Sequence, residues 1–180
     1  MKAQKFILPL ALASGAAIVA AGLALKRSIP KNAKAVKPFD LKKYLGTWYE
    51  IARFDYLWEK HMDHVTATYS LNEDGSIRVD NKGYDHKKDK WEESVGKAKS
   101  VDDPKEAKLK VSFFGPFYAG YNVIAIDKDY RHALVLGEKT DYLWLLSRDK
   151  DMPDSIKDKY LKKAAALGCD IDKLVWTKQD

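Results

Sequence analysis

Few residues of this 180-residue chain are of types and spacings that could do covalent chemistry. Cys169 is its single cysteine, so neither an internal disulfide nor a multi-cysteine metal knot can form. Placed after a helical stretch, that lone thiol reads as a buried structural group and not as a nucleophile. His61, Asp63 and His64 could together touch a metal, but an ordinary polar loop explains them equally well. The reading adopted is no catalytic residue, no metal and no cofactor.

The elements that would position side chains are easier to read. From Gly46 onward, short runs rich in Val, Ile, Tyr, Phe, Trp and Thr recur at intervals of about 8 to 12 residues, which predicts strands. They cover 48–54, 64–71, 76–84, 91–101, 107–114, 120–127, 132–139 and 142–148. Between them lie turn residues such as Asn72-Glu73-Asp74-Gly75, Asp102-Asp103-Pro104 and Gly115-Pro116. Short connections join antiparallel neighbours, and eight such strands close into an up-and-down barrel without free edges. Pro153 and Asp154-Ser155 then open a helix whose apolar residues Ile156, Tyr160, Leu161, Ala164 and Leu167 keep helical spacing until Gly168. It is expected to pack outside the barrel, and Leu174-Val175-Trp176 could add one more strand. The fold class predicted is all-β: an eight-stranded antiparallel barrel with a C-terminal α-helix, preceded by an N-terminal hydrophobic helix.

Charge divides the chain in two. The net charge of +6 would invite a nucleic-acid partner, but residues 1–37 hold seven basic and no acidic residues, leaving 25 basic against 26 acidic beyond them. A near-neutral folded part cannot track phosphates, so nucleic acid is set aside. Within 1–37, Lys2 and Lys5 precede an uncharged stretch from Phe6 to Leu25 that stops at Lys26-Arg27. This is long enough to span a bilayer and longer than a usual signal core, so an uncleaved anchor is preferred to a cleaved signal, with its orientation open. Ser28 to Pro38, with two prolines and several lysines, reads as an extended, solvated linker. The division is therefore 1–37, signal or anchor plus linker, and 38–180, the barrel domain.

Three motifs then fall in order: Gly46-Thr47-Trp48-Tyr49-Glu50 at the first strand, Asp127-Lys128-Asp129-Tyr130-Arg131 in the sixth turn, and Leu146-Ser147-Arg148 at the end of the eighth strand. Together they resemble the signatures of the lipocalin family. The stretches 65–70, 81–84, 111–118 and 142–144 look like its bacterial branch, whose members are often outer-membrane lipoproteins. No cysteine precedes Cys169, however, which puts lipid attachment through an N-terminal cysteine out of reach. The resemblance implies that Gly46, Trp48, Asp129, Tyr130 and Arg148 close one end of the barrel, with Arg148 lying on the Trp48 ring as a structural plug.

Strand alternation, started from an inward Trp48 and an inward Arg148, assigns the interior. Ala52 and Phe54, Val65, Ala67 and Tyr69, and Ile77 and Val79 come from the first three strands. Tyr121, Val123 and Ala125, Leu134 and Leu136, and Tyr142, Trp144 and Leu146 follow, with Tyr118 added from the rim. Ser94, Gly96 and Ala98 share a face where small residues would leave volume, so a hollow barrel is favoured over a solid one. Glu50 falls inward and needs a partner near the base, Arg148 or a tyrosine hydroxyl. At the open end, Leu57, Trp58, Met62, Phe114, Phe117 and Tyr118 form an aromatic rim suited to a membrane surface or folded over as a cap. The resemblance implies a fatty acid or lysophospholipid ligand, held for storage or transport in the cell envelope. A lipid isomerase or de-epoxidase is the alternative, and a homodimer stays open.

Overall fold

The structure is a computed structural model that describes residues 28–55 and 60–180. The predicted N-terminal anchor, and Leu57 and Trp58 of the rim, lie outside the described residues. The first element is a one-turn helix α1 (Leu41–Tyr44), capped by the Asp40 carboxylate, which accepts from the amides of Lys42 and Lys43. Gly46, at φ +94°, then turns the chain into the first strand. Eight strands follow in antiparallel order: β1 (Gly46–Phe54), β2 (Met62–Leu71), β3 (Ile77–Asp85), β4 (Lys90–Ser100), β5 (Lys108–Phe114), β6 (Phe117–Ile126), β7 (His132–Leu136) and β8 (Leu143–Ser147). Each pairs with the next, and β1 pairs with both β8 and β2, which closes the barrel.

Register shifts interrupt β1, β2, β5 and β6, and those of β1 and β6 overturn expected interior positions. β1 carries a bulge between Glu50 and Ala52, and β6 another between Val123 and Ala125. An extra residue on one strand reverses which side chains face inward beyond it. Ala52 and Phe54, expected inside, therefore face outward, and Arg53 turns in opposite Trp144. Ala125, likewise expected inside, points out opposite Leu134.

β7 is corrected for another reason. All five of its residues are buried, since its inner face lines the barrel and its outer face is covered by the helix. With both faces apolar, alternation carries no directional signal. Ala133 and Val135 point in, while Leu134 and Leu136, expected inside, point out.

The outer apolar layer receives α2 (Asp154–Ala166), whose buried Tyr160 and Ala164 pack with Leu134, Leu136, Leu143, Leu145, Met152 and Cys169. Tyr160 donates its hydroxyl to the His132 carbonyl at 2.9 Å. After α2 and a 3-10 turn (Ile171–Lys173), β9 (Leu174–Trp176) pairs with the upper part of β1. The chain beyond it bonds to both flanking strands. The Thr177 amide donates to the Ile51 carbonyl, His64 donates to the Lys178 carbonyl, and the Gln179 amide group reaches the carbonyls of Glu50 and Val65. This segment therefore fills the wall where β1 and β2 separate.

Ser28 to Pro38, expected as a solvated linker, is instead bound to the barrel. Val36 donates to the Val123 carbonyl and accepts from Ala107, and Phe39 donates to the Lys105 carbonyl. Farther back, the Asn122 side chain donates to the Ser28 carbonyl at 2.6 Å. That carbonyl lies 2.1 Å from where a Cβ on Gly120 would stand, so only glycine admits the segment there.

Candidate ligand-binding cavity

One end of the barrel is shut. The Arg148 guanidinium carbon lies 3.9 Å from the centre of the fully buried Trp48 ring, a contact worth about 0.5 to 2 kcal/mol. The same guanidinium donates to the carbonyls of Lys43, Tyr44, Leu45 and Thr47 at 2.7 to 3.0 Å, and to that of Tyr130 at 3.3 Å. Gly46 makes room for it, since a Cβ there would meet its Nη1 at 3.3 Å. The Trp48 indole nitrogen donates to the Tyr44 carbonyl, which ties the strand to α1. In the sixth turn Asp129 stands exposed, and Asp127 makes the ties: its carboxylate accepts the amides of Arg131 and His132 and meets the His132 ring at 2.9 Å. Burial raises the Asp127 pKa, but these bonds outweigh it and hold the carboxyl below its ordinary range.

Above the plug lies a floor of three phenols. The Tyr121 hydroxyl is 2.6 Å from that of Tyr44 and 2.7 Å from that of Tyr69. Burial pushes the phenols of Tyr44 and Tyr121 well above their usual pKa, so the floor is polar but uncharged. Around it Ile77, Val79, Leu109, Val123, Val135 and Leu146 are buried. Higher on the wall the inward side chains Ala67, Val111, Phe113 and Trp144 are only partly buried. These inward groups keep some accessible surface on the side of the barrel away from the plug.

Of the residues expected to line the cavity, the structure brings Ala67, Tyr69, Ile77, Val79, Tyr121, Val123 and Trp144 to the inner face. Val65 joins them at a β2 irregularity, its methyl 3.1 Å from the Cβ position of Gly83. Tyr142 sits in the turn before β8, packed over Gly137. Phe54, Leu134 and Leu136 are excluded, as described above. Tyr118 is excluded too: β6 begins at Phe117, Ala119 faces inward opposite Val111, and Tyr118 points out beneath the Lys110 ammonium. The small residues of β4 leave less room than expected, because the Phe113 ring occupies the space over Gly96.

Glu50 does not meet Arg148 or a tyrosine. It pairs with Arg53 at 2.6 Å, the two side chains being 5% and 1% exposed. Thr177 donates its hydroxyl to Glu50 and accepts from Arg53, and Arg53 also donates to the Met62 carbonyl. The sequence showed no such partner, because only the β1 bulge brings residue 53 to the same side as residue 50. Glu50 and Arg53 are thus committed to one another.

At the open end, Phe114 and Phe117 flank the β5–β6 turn, 37% and 60% exposed. Met62 turns toward Gly83 on the inner face. A recess of about 200 Å³ lies beside it, lined by Arg53, Lys60, His61, Asp63 and His86 among others. His61 and His64 diverge: His61 faces His86, itself held by Asp63, whereas His64 lies outside against Tyr84 and Trp91. Among the described residues no three His, Cys, Asp or Glu side chains are placed to hold a metal. A larger groove of about 400 Å³, between Tyr49, His64, Lys82 and Trp91, is on the outer wall and not in the barrel.

Comparison with known proteins agrees with this geometry. The lipocalin-like domain family matches residues 39–179. The chain is 53% identical over 167 residues to the outer membrane lipoprotein Blc of Citrobacter freundii, covering 91% of this chain and 94% of that protein. It is 49% identical over 173 residues to the protein of the same name from Escherichia coli K12, covering 96% and 97%. Among solved structures, the cockroach allergen Per a 4 superposes with a TM-score of 0.67 at 21% identity, over 86% of this chain and 96% of that one, which bears on the fold alone. Plugged barrel, ordered motifs and these similarities together establish that the chain belongs to the lipocalin family.

Proposed function

We propose that the barrel binds a single-chain lipid, a fatty acid or a lysophospholipid, and stores or carries it in the cell envelope without altering it. The observation that supports the reading is the apolar inner wall of Val111, Phe113 and Trp144, only partly buried above a closed base. An acyl chain of about 16 carbons gains on the order of 10 kcal/mol from apolar burial at roughly 0.8 kcal/mol per methylene. A membrane already supplies most of that, so a carrier gains only from fit and head-group contacts. Single-chain lipids suit it best, because two-chain lipids are much harder to extract. The uncharged tyrosine floor gives a charged head group no counter-ion, so the head group lies at the mouth and the tail points down.

Placement in the envelope follows from the relatives, named outer membrane lipoproteins, and from the apolar stretch Phe6 to Leu25. A catalytic alternative gains nothing from a site whose tyrosines and Glu50–Arg53 pair are engaged with one another. Titration with long-chain fatty acids and lysophospholipids, followed by tryptophan fluorescence, is expected to give a saturable change that is lost in Trp144→Phe. Extraction should then return the lipid unmodified. No saturable change with either class would overturn the binding reading, and recovery of an isomerised lipid would overturn the carrier reading.

A further inference from the structure

The path of residues 28–39 fixes which end of the barrel the N-terminal segment leaves from. At the base, Phe39 bonds to Lys105 and Asp40 to the Tyr130 hydroxyl. Going backward along the chain, Val36 lies against Val123, and Ser28 reaches Gly120 and Asn122, higher on β6. The same Asn122 side chain bonds to the carbonyls of Leu136 and Gly137, where β7 runs into a mouth loop. The segment is thus held against the wall and climbs from the closed end toward the open one.

We propose that the barrel rests mouth-first on the membrane that its own N-terminal segment enters, so that the cavity opens onto that bilayer. The proposal rests on reading Phe6 to Leu25 as an uncleaved anchor. From Ser28 only three residues lead back to Leu25, a reach of about 10 Å. From Gly120 to the base end of β6 at Ile126 is roughly 20 Å of strand, so the closed end cannot reach the same surface. Toward the mouth, the tip of β6 at Phe117 is about 10 Å from Gly120, within that reach.

The surface brought to the bilayer is fitted for it. Phe114 and Phe117, at that tip, present apolar rings to solvent. Lys60 and Lys87 stand exposed on neighbouring mouth loops, complementary to anionic head groups. A lipid leaving the membrane would enter the cavity without crossing water.

The test uses the full-length protein in vesicles of phosphatidylethanolamine and phosphatidylglycerol, with an environment-sensitive fluorophore on Phe117→Cys or, at the opposite end, on Glu73→Cys. Cys169, being buried, is left in place. Flotation with the vesicles is expected, with the probe at 117 quenched several-fold more than the probe at 73 by nitroxide-bearing lipids. Flotation with equal or reversed quenching would overturn the mouth-first arrangement while leaving the anchor intact. Failure to float would overturn the anchor reading and this arrangement with it. A third variant, Gly120→Val, displaces Ser28 and should reduce the difference between the two probes while flotation persists. An unchanged difference would show that the bound segment does not set the orientation.

Discussion

At the scale of single residues, the charged groups of this barrel act in concentrated pairs. Arg148 joins one indole and five carbonyls, so Arg148→Ala should cost about 2 to 4 kcal/mol in urea unfolding, combining the ring contact with carbonyls left without a donor. Arg148→Lys keeps the charge but not the planar fork, and should recover only part of that. In the Glu50–Arg53 pair, either single replacement by an uncharged residue strands a buried charge and should cost about 3 to 5 kcal/mol. The double replacement should cost clearly less than the sum, which a double-mutant cycle reads directly. The phenols of Tyr44, Tyr121 and Tyr160, held protonated by burial, add a pH effect of definite sign. Their stabilisation is complete below the ordinary tyrosine value of about 10 and declines as pH rises past it, because the unfolded chain ionises first. Absorbance at 295 nm should show these three titrating only together with loss of tertiary structure.

At the scale of elements, the bulges and the two-sided strand decide which side chains serve the cavity and which serve the helix. Leu134→Ala, on the outer face of β7, should cost about 2 to 5 kcal/mol of stability and leave lipid affinity unchanged. Val111→Trp, on the inner wall, should lower affinity at least tenfold, read by fluorescence titration. The eight strands, the C-terminal helix, the plug and most of the inner wall were legible in the sequence, because half-buried strands alternate and the three motifs fix the phase. Ala52, Phe54 and Ala125 were misassigned because a bulge leaves no compositional mark, and Arg53 went unseen for the same reason. Leu134 and Leu136 were misassigned because every residue of β7 is shielded, and Tyr118 because its strand starts before its apolar pattern does. Ser28 to Pro38 has the composition of a free linker, and only the close approach at Gly120 reveals that it is bound.

At the scale of the whole molecule, cavity and fold are coupled through ligand binding. A lipid that binds only the closed barrel, at about 100 times its dissociation constant, adds about 2.7 kcal/mol of stability. For a domain of this size that corresponds to a rise in Tm of roughly 5 to 10 °C. Calorimetry with and without lysophospholipid checks it, and a Tm independent of lipid concentration would contradict cargo binding within the barrel. The near balance of charge beyond residue 37 gives this rise little reason to depend on salt, in contrast to any association with anionic vesicles.

The segment 174–179 has a kinetic consequence. Thr177 meets Arg53 at a sequence separation of 124, so this part of the wall depends on one of the most distant encounters the polypeptide must make. Until it is made, the upper margins of β1 and β2 expose unsatisfied amides and carbonyls that a second chain can pair with. Weakening Thr177 or Gln179 should therefore show up first as self-association during refolding, before any loss in the finished molecule is measurable.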